Sequence, residues 1–108
     1  MIATAELNAE RVAAATDSFR RHILEALLTQ GELSVTALAE DMPISRQAVS
    51  KHLANLLRLG LVEKRHAGRE ALFCVCADVL DDVVQQIQQS VMAWERRLQA
   101  LKKTAESS

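Results

Sequence analysis

The sequence predicts a mainly α-helical fold of about five helices and one two-stranded β-hairpin, and three observations predict it. The first is residues 45–60, SRQAVSKHLANLLRLG, where Val49, Leu53 and Leu56 recur at helical spacing with Leu57 beside them, while Gln47, Lys51 and Arg58 point the opposite way. The second is a pair of strand-like runs, residues 61–66 (LVEKRH) and 70–77 (EALFCVCA), separated by Ala67, Gly68 and Arg69. The third is residues 78–103, which lack Gly and Pro and carry large apolar residues every three or four positions.

Taken in order, residues 2–15 are alanine-rich, with Leu7 and Val12 as the larger apolar side chains, and predict a helix that needs a partner to pack on. Asp17 is a good N-cap for a second helix running to about Gln30, with Phe19, Ile23, Leu27 and Leu28 toward the core and Gly31 ending it. Arg20 and Arg21 near its start either reach phosphate or remain solvated. Residues 34–41 (SVTALAED) predict a short helix with Val35, Leu38 and Ala39 apolar, joined through Met42 and Pro43 to the helix of residues 45–59. Ser45 can cap that helix, Ile44 can staple onto Val49, Pro43 keeps Met42 out of helical geometry, and Gly60 suits the left-handed position after its end.

Two helices so joined form a helix-turn-helix, whose second helix keeps an apolar back and a polar, cationic front, as a major-groove reader requires. An ordinary amphipathic helical hairpin is the alternative. The β-hairpin that follows has a basic tip and makes a wing. Alternation places Phe73 and Val75 toward the helices and Cys74 and Cys76 together on the other face.

From Asp78, read as an N-cap, the last helix carries Leu80, Val84, Ile87, Val91, Trp94, Leu98 and Leu101, alternately four and three residues apart. That is a heptad seam suited to a dimer contact, widened at its start by Val79 and Val83. Residues 105–108 are expected to fray.

With 108 residues the chain has room for one domain: an N-terminal dimer helix (1–15), a winged helix-turn-helix (17–77) and a C-terminal dimer helix (78–103). Apolar residues make up 49%, against disorder. No basic leader with a long apolar core and no membrane-length run occurs, so a cytoplasmic protein without a membrane partner is expected. Net charge is −1, but residues 45–69 hold Arg46, Lys51, Arg58, Lys64, Arg65 and Arg69 against Glu63 alone, a local +5. The remainder carries seven basic and 13 acidic side chains, or −6, so positive potential gathers where a phosphate backbone would lie.

At Ser45-Arg46, Val49-Ser50, His52-Leu53, Leu56 and Gly60-Leu61-Val62, followed by Arg65, Gly68-Arg69 and Phe73, the chain resembles the ArsR/SmtB family of winged-helix repressors. The resemblance extends upstream to Asp17, Arg20 and Ile23-Leu24. It implies a dimeric repressor released from DNA by an effector that the sequence does not identify. It also implies backbone or minor-groove contact for the wing residues Arg65, His66 and Arg69, and packing or phosphate contact for His52.

Arsenic-responsive members of that family carry Cys-Val-Cys at the start of the helix-turn-helix, whereas here Cys74-Val75-Cys76 follows the recognition helix. Residues 35–41, which align with the family site, contain no Cys or His, and residues 78–103 lack the histidine that the second family site needs. Two thiols supply two soft ligands where a closed site takes four, and two residues apart on one strand their Cα atoms would lie about 6.6–6.8 Å apart, at the outer limit for a disulfide. No metal and no cofactor is expected.

The function expected is a homodimeric, sequence-specific repressor on a near-palindromic double-stranded DNA operator. Gln47, Ser50 and Lys51 would read base edges, and Ser45, Arg46, Arg65 and Arg69 would fix register on phosphate and minor groove. A protein-interaction module, or a thiol- or metal-responsive sensor using Cys74 and Cys76, is the alternative. His22, His52 and His66 have no carboxylate or nucleophile motif around them, so no enzyme is expected.

Overall fold

A computed structural model describes residues 4–107 as α1 (Thr4–Thr16), α2 (Ser18–Gln30), α3 (Val35–Glu40), α4 (Arg46–Arg58), β1 (Val62–Ala67), β2 (Glu70–Val75) and α5 (Ala77–Ser107). The expected five helices and hairpin are present; Ile2 and Ala3 of the first expected helix lie outside the described residues. Three helices start on side-chain caps: the Asp17 carboxylate accepts the Arg20 N–H at 3.2 Å, and the hydroxyls of Ser34 and Ser45 accept those of Ala37 and Ala48 at 3.1 Å each. Helix α4 stops on Gly60, whose φ of 77° lets the Gly60 and Leu61 N–H groups donate back to the carbonyls of Leu57 and Leu56, both at 3.0 Å. This pair of bonds is a Schellman ending, and it aims the chain into β1.

The core is aliphatic. Ile23, Leu24 and Leu27 of α2, Leu38 of α3, Val49, Leu53 and Leu56 of α4, and Leu80 and Val83 of α5 are buried around Leu59, Leu61, Val62 and Phe73. Each such side chain contributes about 1.5–3 kcal/mol by leaving water. Helix α1 adds only Ala14 to this set and packs on α2 and α5 through Leu7, Val12 and Ala15.

Strands β1 and β2 pair antiparallel, Val62 opposite Val75 through Ala67 opposite Glu70. The connection is therefore Gly68–Arg69, shorter than the expected three-residue separator. Gly68 takes φ 65° while, among the described residues, none other than glycine has positive φ, the arrangement of a type II′ turn with its glycine first. Leu33 adds a short third lane: its N–H donates to the Phe73 carbonyl at 3.1 Å and its carbonyl accepts from Phe73 at 2.9 Å. This bridge ties the start of the helix-turn-helix to the wing.

The structure corrects several expectations. Helix α5 begins at Ala77, with the Cys76 carbonyl accepting the Leu80 N–H at 3.0 Å, so Asp78 lies in the first turn instead of capping it. It continues through Ser107, since residues 104–107 are good helix formers or bond back to the preceding turn, as the hydroxyls of Thr104 and Ser107 do to Ala100 and Lys103. Phe19 and Leu28 are exposed, because the inward stripe of α2 runs through positions 20, 23, 24 and 27, with an arginine where an apolar residue would have marked it.

Leu80 and Val83 belong to the core of the single chain, so the uncovered part of the C-terminal stripe starts at Val84. The radius of gyration, 17.7 Å, exceeds the roughly 13 Å of a compact chain of this length. The excess comes from α5, whose 31 residues extend about 46 Å.

Candidate nucleic-acid interface

Helix α4 presents one face to solvent along its whole length. Val49 and Leu56 are wholly buried and Leu53 nearly so, while Arg46, Gln47, Ser50 and Lys51 are exposed, as is the cap Ser45. The back of the helix is fixed by core packing, and the front carries two cations, an amide and hydroxyls. These groups can donate to phosphate oxygens and to the acceptor edges of bases, and the amide can also accept.

Polar contacts to three other helices hold α4 in place. At its start the Arg46 guanidinium reaches the Thr36 hydroxyl of α3 at 3.5 Å. Midway, Arg20 of α2 donates from Nη1 to Asn55 Oδ1 at 2.8 Å and stands 3.5 Å from the Asp17 carboxylate. At the end, Arg11 of α1 donates from Nε to the Leu59 carbonyl at 2.7 Å, and Glu10 stands 3.5 Å from Arg58. Arg20 is thus half-buried and turned toward Asn55 and Asp17, and its buried Nε has no hydrogen-bond partner. Arg21 is exposed beside Glu25 at 3.6 Å. Asp17 is held below the ordinary carboxylate value, first by accepting the Arg20 backbone N–H and also by the Arg20 charge.

In the wing, Arg65 makes a two-pronged bond to Glu32, Nε to Oε2 at 2.5 Å and Nη2 to Oε1 at 2.9 Å. That bond lowers the Glu32 carboxyl below its usual range and raises Arg65. Arg65 is exposed, yet its fork is already occupied by a carboxylate from the loop after α2. Lys64 lies over the Phe73 ring at 6.0 Å, an additional contact with the wing's buried aromatic. Arg69 sits at the turn, exposed, and His66 is exposed on β1. His52 stacks at 5.9 Å on Phe19, a ring pair that covers part of both side chains.

Cys74 lies in β2 and Cys76 just before α5, both half-buried free thiols. Burial pushes the Cys76 thiol up, and the nearby Glu63 carboxylate pushes it further, which disfavours the reactive thiolate. Among the described residues no group of three or more His, Cys, Asp or Glu could hold a metal ion. The donor set does not fit the metal sites implied by the family resemblance. No helix among the described residues is long and apolar enough to cross a membrane.

Beyond the core, Val84, Val91, Trp94, Leu98 and Leu101 of α5 are exposed, Trp94 by 65%, and Ile87 is half-buried. Beside them Val12 and Thr16 of α1 close a groove of about 430 Å³ whose α5 wall includes Ile87, Val91, Trp94 and Leu98.

Comparison with known proteins agrees with this architecture. The helix-turn-helix domain family matches residues 16–65. The HTH-type transcriptional regulator Rv2034 of Mycobacterium tuberculosis is 45% identical over 60 residues, spanning 56% of this chain and 55% of that protein, so the match reaches about half of the relative's length. Among solved structures, an ArsR-like transcriptional regulator from Rhodococcus sp. RHA1 is 36% identical, with a TM-score of 0.72 over 97% of this chain and 95% of the other. A possible transcriptional regulator for arsenical resistance is 32% identical, with a TM-score of 0.69 over 74% and 82%. With its helix-turn-helix, its wing and a full-length relative of this similarity, the chain belongs to the ArsR-like family of transcriptional regulators, proteins that are not enzymes.

Proposed function

We propose that this chain is a cytoplasmic, homodimeric repressor that binds a near-palindromic operator, each protomer laying α4 in the major groove of one half-site. The observation that carries the reading is the division of α4 into a buried apolar back and an exposed front of Arg46, Gln47, Ser50 and Lys51. Gln47, Ser50 and Lys51 read base edges, while Ser45, Arg46 and the wing residue Arg69 contact the backbone and fix register. Arg65 joins them only by leaving or sharing Glu32.

Dimerisation supplies the second half-site. One winged helix contacts a few base pairs, and useful specificity needs two recognition helices about 34–36 Å apart. The exposed stripe of α5 from Val84 to Leu101, continued by the groove against α1, is apolar surface of the kind that a two-fold contact covers. A small-molecule or ionic effector would act by shifting the relative placement of the two α4 helices; the half-buried thiols supply no closed site for it.

Footprinting of the purified protein on its own upstream DNA, beside a gel shift with random competitor DNA, tests the proposal. Protection of two symmetric half-sites that survives competitor is the expected result. Binding that competitor abolishes in proportion to its length would overturn it and leave a protein-interaction module.

A further inference from the structure

Helix α1 touches α4 through two side chains that neither the core nor the reading face requires. The last carbonyls of a helix have no partner inside it. In α4 those of Leu56 and Leu57 are met by the Schellman bonds, and that of Asn55 by the Leu59 N–H at 3.1 Å. The Leu59 carbonyl is met instead by Arg11, 48 residues away, through Nε at 2.7 Å. A guanidinium there also faces the negative end of the α4 dipole. Gly60 leaves room for it: a Cβ at that position would lie 3.3 Å from Arg11 Nη2. One residue earlier on α1, Glu10 faces Arg58, the last residue of α4.

Resting on the reading of α4 as the major-groove helix, we propose that Arg11 is a positioning residue for DNA recognition, with Glu10 as its lesser partner. It ties the C-terminal end of α4 to the α1/α5 pair and so fixes the tilt of the reading helix against the apolar surface where the two protomers meet. The lever is sensitive. Helix α4 is about 20 Å long, so a tilt of about 10° moves one end by about 3 Å, close to the rise between bases on one strand. Core packing of Val49, Leu53 and Leu56 fixes the back of the helix, and the Arg46–Thr36 and Arg20–Asn55 contacts hold its start and middle. The charge-assisted bond of Arg11 adds the corresponding directional contact at the C-terminal end.

The test uses Arg11→Met, which keeps the aliphatic stem and removes the donors, with Arg11→Lys, which retains a cation and a donor, and Glu10→Gln, an exposed change that leaves folding intact. Affinities for the operator, for random DNA and for operators with one base pair inserted between half-sites are measured on the full chain, with sedimentation and thermal unfolding alongside. Arg11→Met should lose about tenfold on the operator and nothing on random DNA, and should discriminate less between the correct and the expanded spacing. Arg11→Lys should recover part of the loss, and Glu10→Gln should show a two- to threefold loss of the same kind.

Equal proportional losses on operator and random DNA, or unchanged spacing preference in all three variants, would overturn the proposal and leave Arg11 as a fold-stabilising contact. If Arg11→Met unfolds, Glu10→Gln and Arg11→Lys still decide by their operator-to-random ratio. Failure of the unaltered chain to discriminate operator from random DNA would overturn the functional reading itself, a different result.

Discussion

Trp94 and Leu80 lie on the same heptad stripe of α5, and the structure gives them opposite surroundings. Leu80 is 9% exposed and packs in the core of one chain, whereas Trp94 is 65% exposed. A tryptophan side chain offers up to about 250 Å², so about 160 Å² of Trp94 stands uncovered, and covering it at about 25 cal/mol per Å² contributes ~4 kcal/mol per protomer. Replacing Trp94 with Ala should therefore weaken dimerisation by about a thousandfold or more in Kd, since the loss is repeated on both sides of the two-fold axis. The fold of each chain should be affected far less than by loss of a core side chain, because most of Trp94 is uncovered.

Leu80→Ala should do the reverse, destabilising the chain by about 2–5 kcal/mol through the cavity it leaves. The pair is decided by sedimentation equilibrium over a concentration series together with thermal unfolding. The unfolding scans are run below the dissociation concentration, so that the dimer does not contribute to the midpoint. A Trp94→Ala protein that dimerises as tightly as the unaltered chain would refute the placement of the interface. So would a midpoint depressed as far as that of Leu80→Ala, which would show that Trp94 packs within its own chain.

Gln47→Ala or Lys51→Ala should cost about 1–3 kcal/mol on the preferred site and relax base preference there, while Arg69→Ala should weaken all sequences alike and flatten the salt dependence; both follow from competition gel shifts. Cys74→Ser/Cys76→Ser should keep operator affinity and any physiological release, and loss of release by arsenite, zinc or peroxide in the double variant would promote the thiols to sensors. Glu32→Gln should free the Arg65 fork and tighten binding to random DNA. The Glu32 carboxyl is depressed by Arg65, so its contribution to folding is present above the unfolded value of 4.5 and fades as pH falls through the lower folded value. Acid unfolding of Glu32→Gln should therefore lack that component, and an unchanged acid limb would show that the pair adds nothing.

The regular elements were legible because their signals are local. Ser45 and Asp17 are caps whose partners lie three residues on, Gly60 is the only residue type that takes its φ of 77° without strain, and Val49, Leu53 and Leu56 share a face by helical geometry alone. What sequence reading missed depends on contacts between distant segments. Nothing near Arg20 marks Asn55 as its partner, nothing near Arg11 marks the Leu59 carbonyl, and Glu32 meets Arg65 only because Leu33 pairs with Phe73. A heptad stripe, likewise, says which side chains share a face but not which body covers them. Val79, Leu80 and Val83 fall where the domain ends, so the first turns of α5 pack inward, and the exposed seam begins about one turn later than the periodicity alone implies.

These long-range pairs also change the meaning of the charge distribution. Residues 45–69 carry six cations and one acid, a surplus that reads as six candidate phosphate contacts. Two of the six are paired in the fold, Arg58 with Glu10 and Arg65 with Glu32, and both acids come from outside the stretch. Under the proposed function, the cations of this stretch left without a carboxylate partner are Arg46 and Lys51 on α4 with Lys64 and Arg69 on the wing. Counterion release scales with the number of phosphates neutralised, so four such cations per protomer would give a shallower salt dependence than six, with a larger share of affinity resting on correct placement of α4. On that proposal such a surface would separate operator from random DNA by geometry more than by charge, and the helix-end contact of Arg11 and the mid-helix contact of Arg20 would hold that geometry.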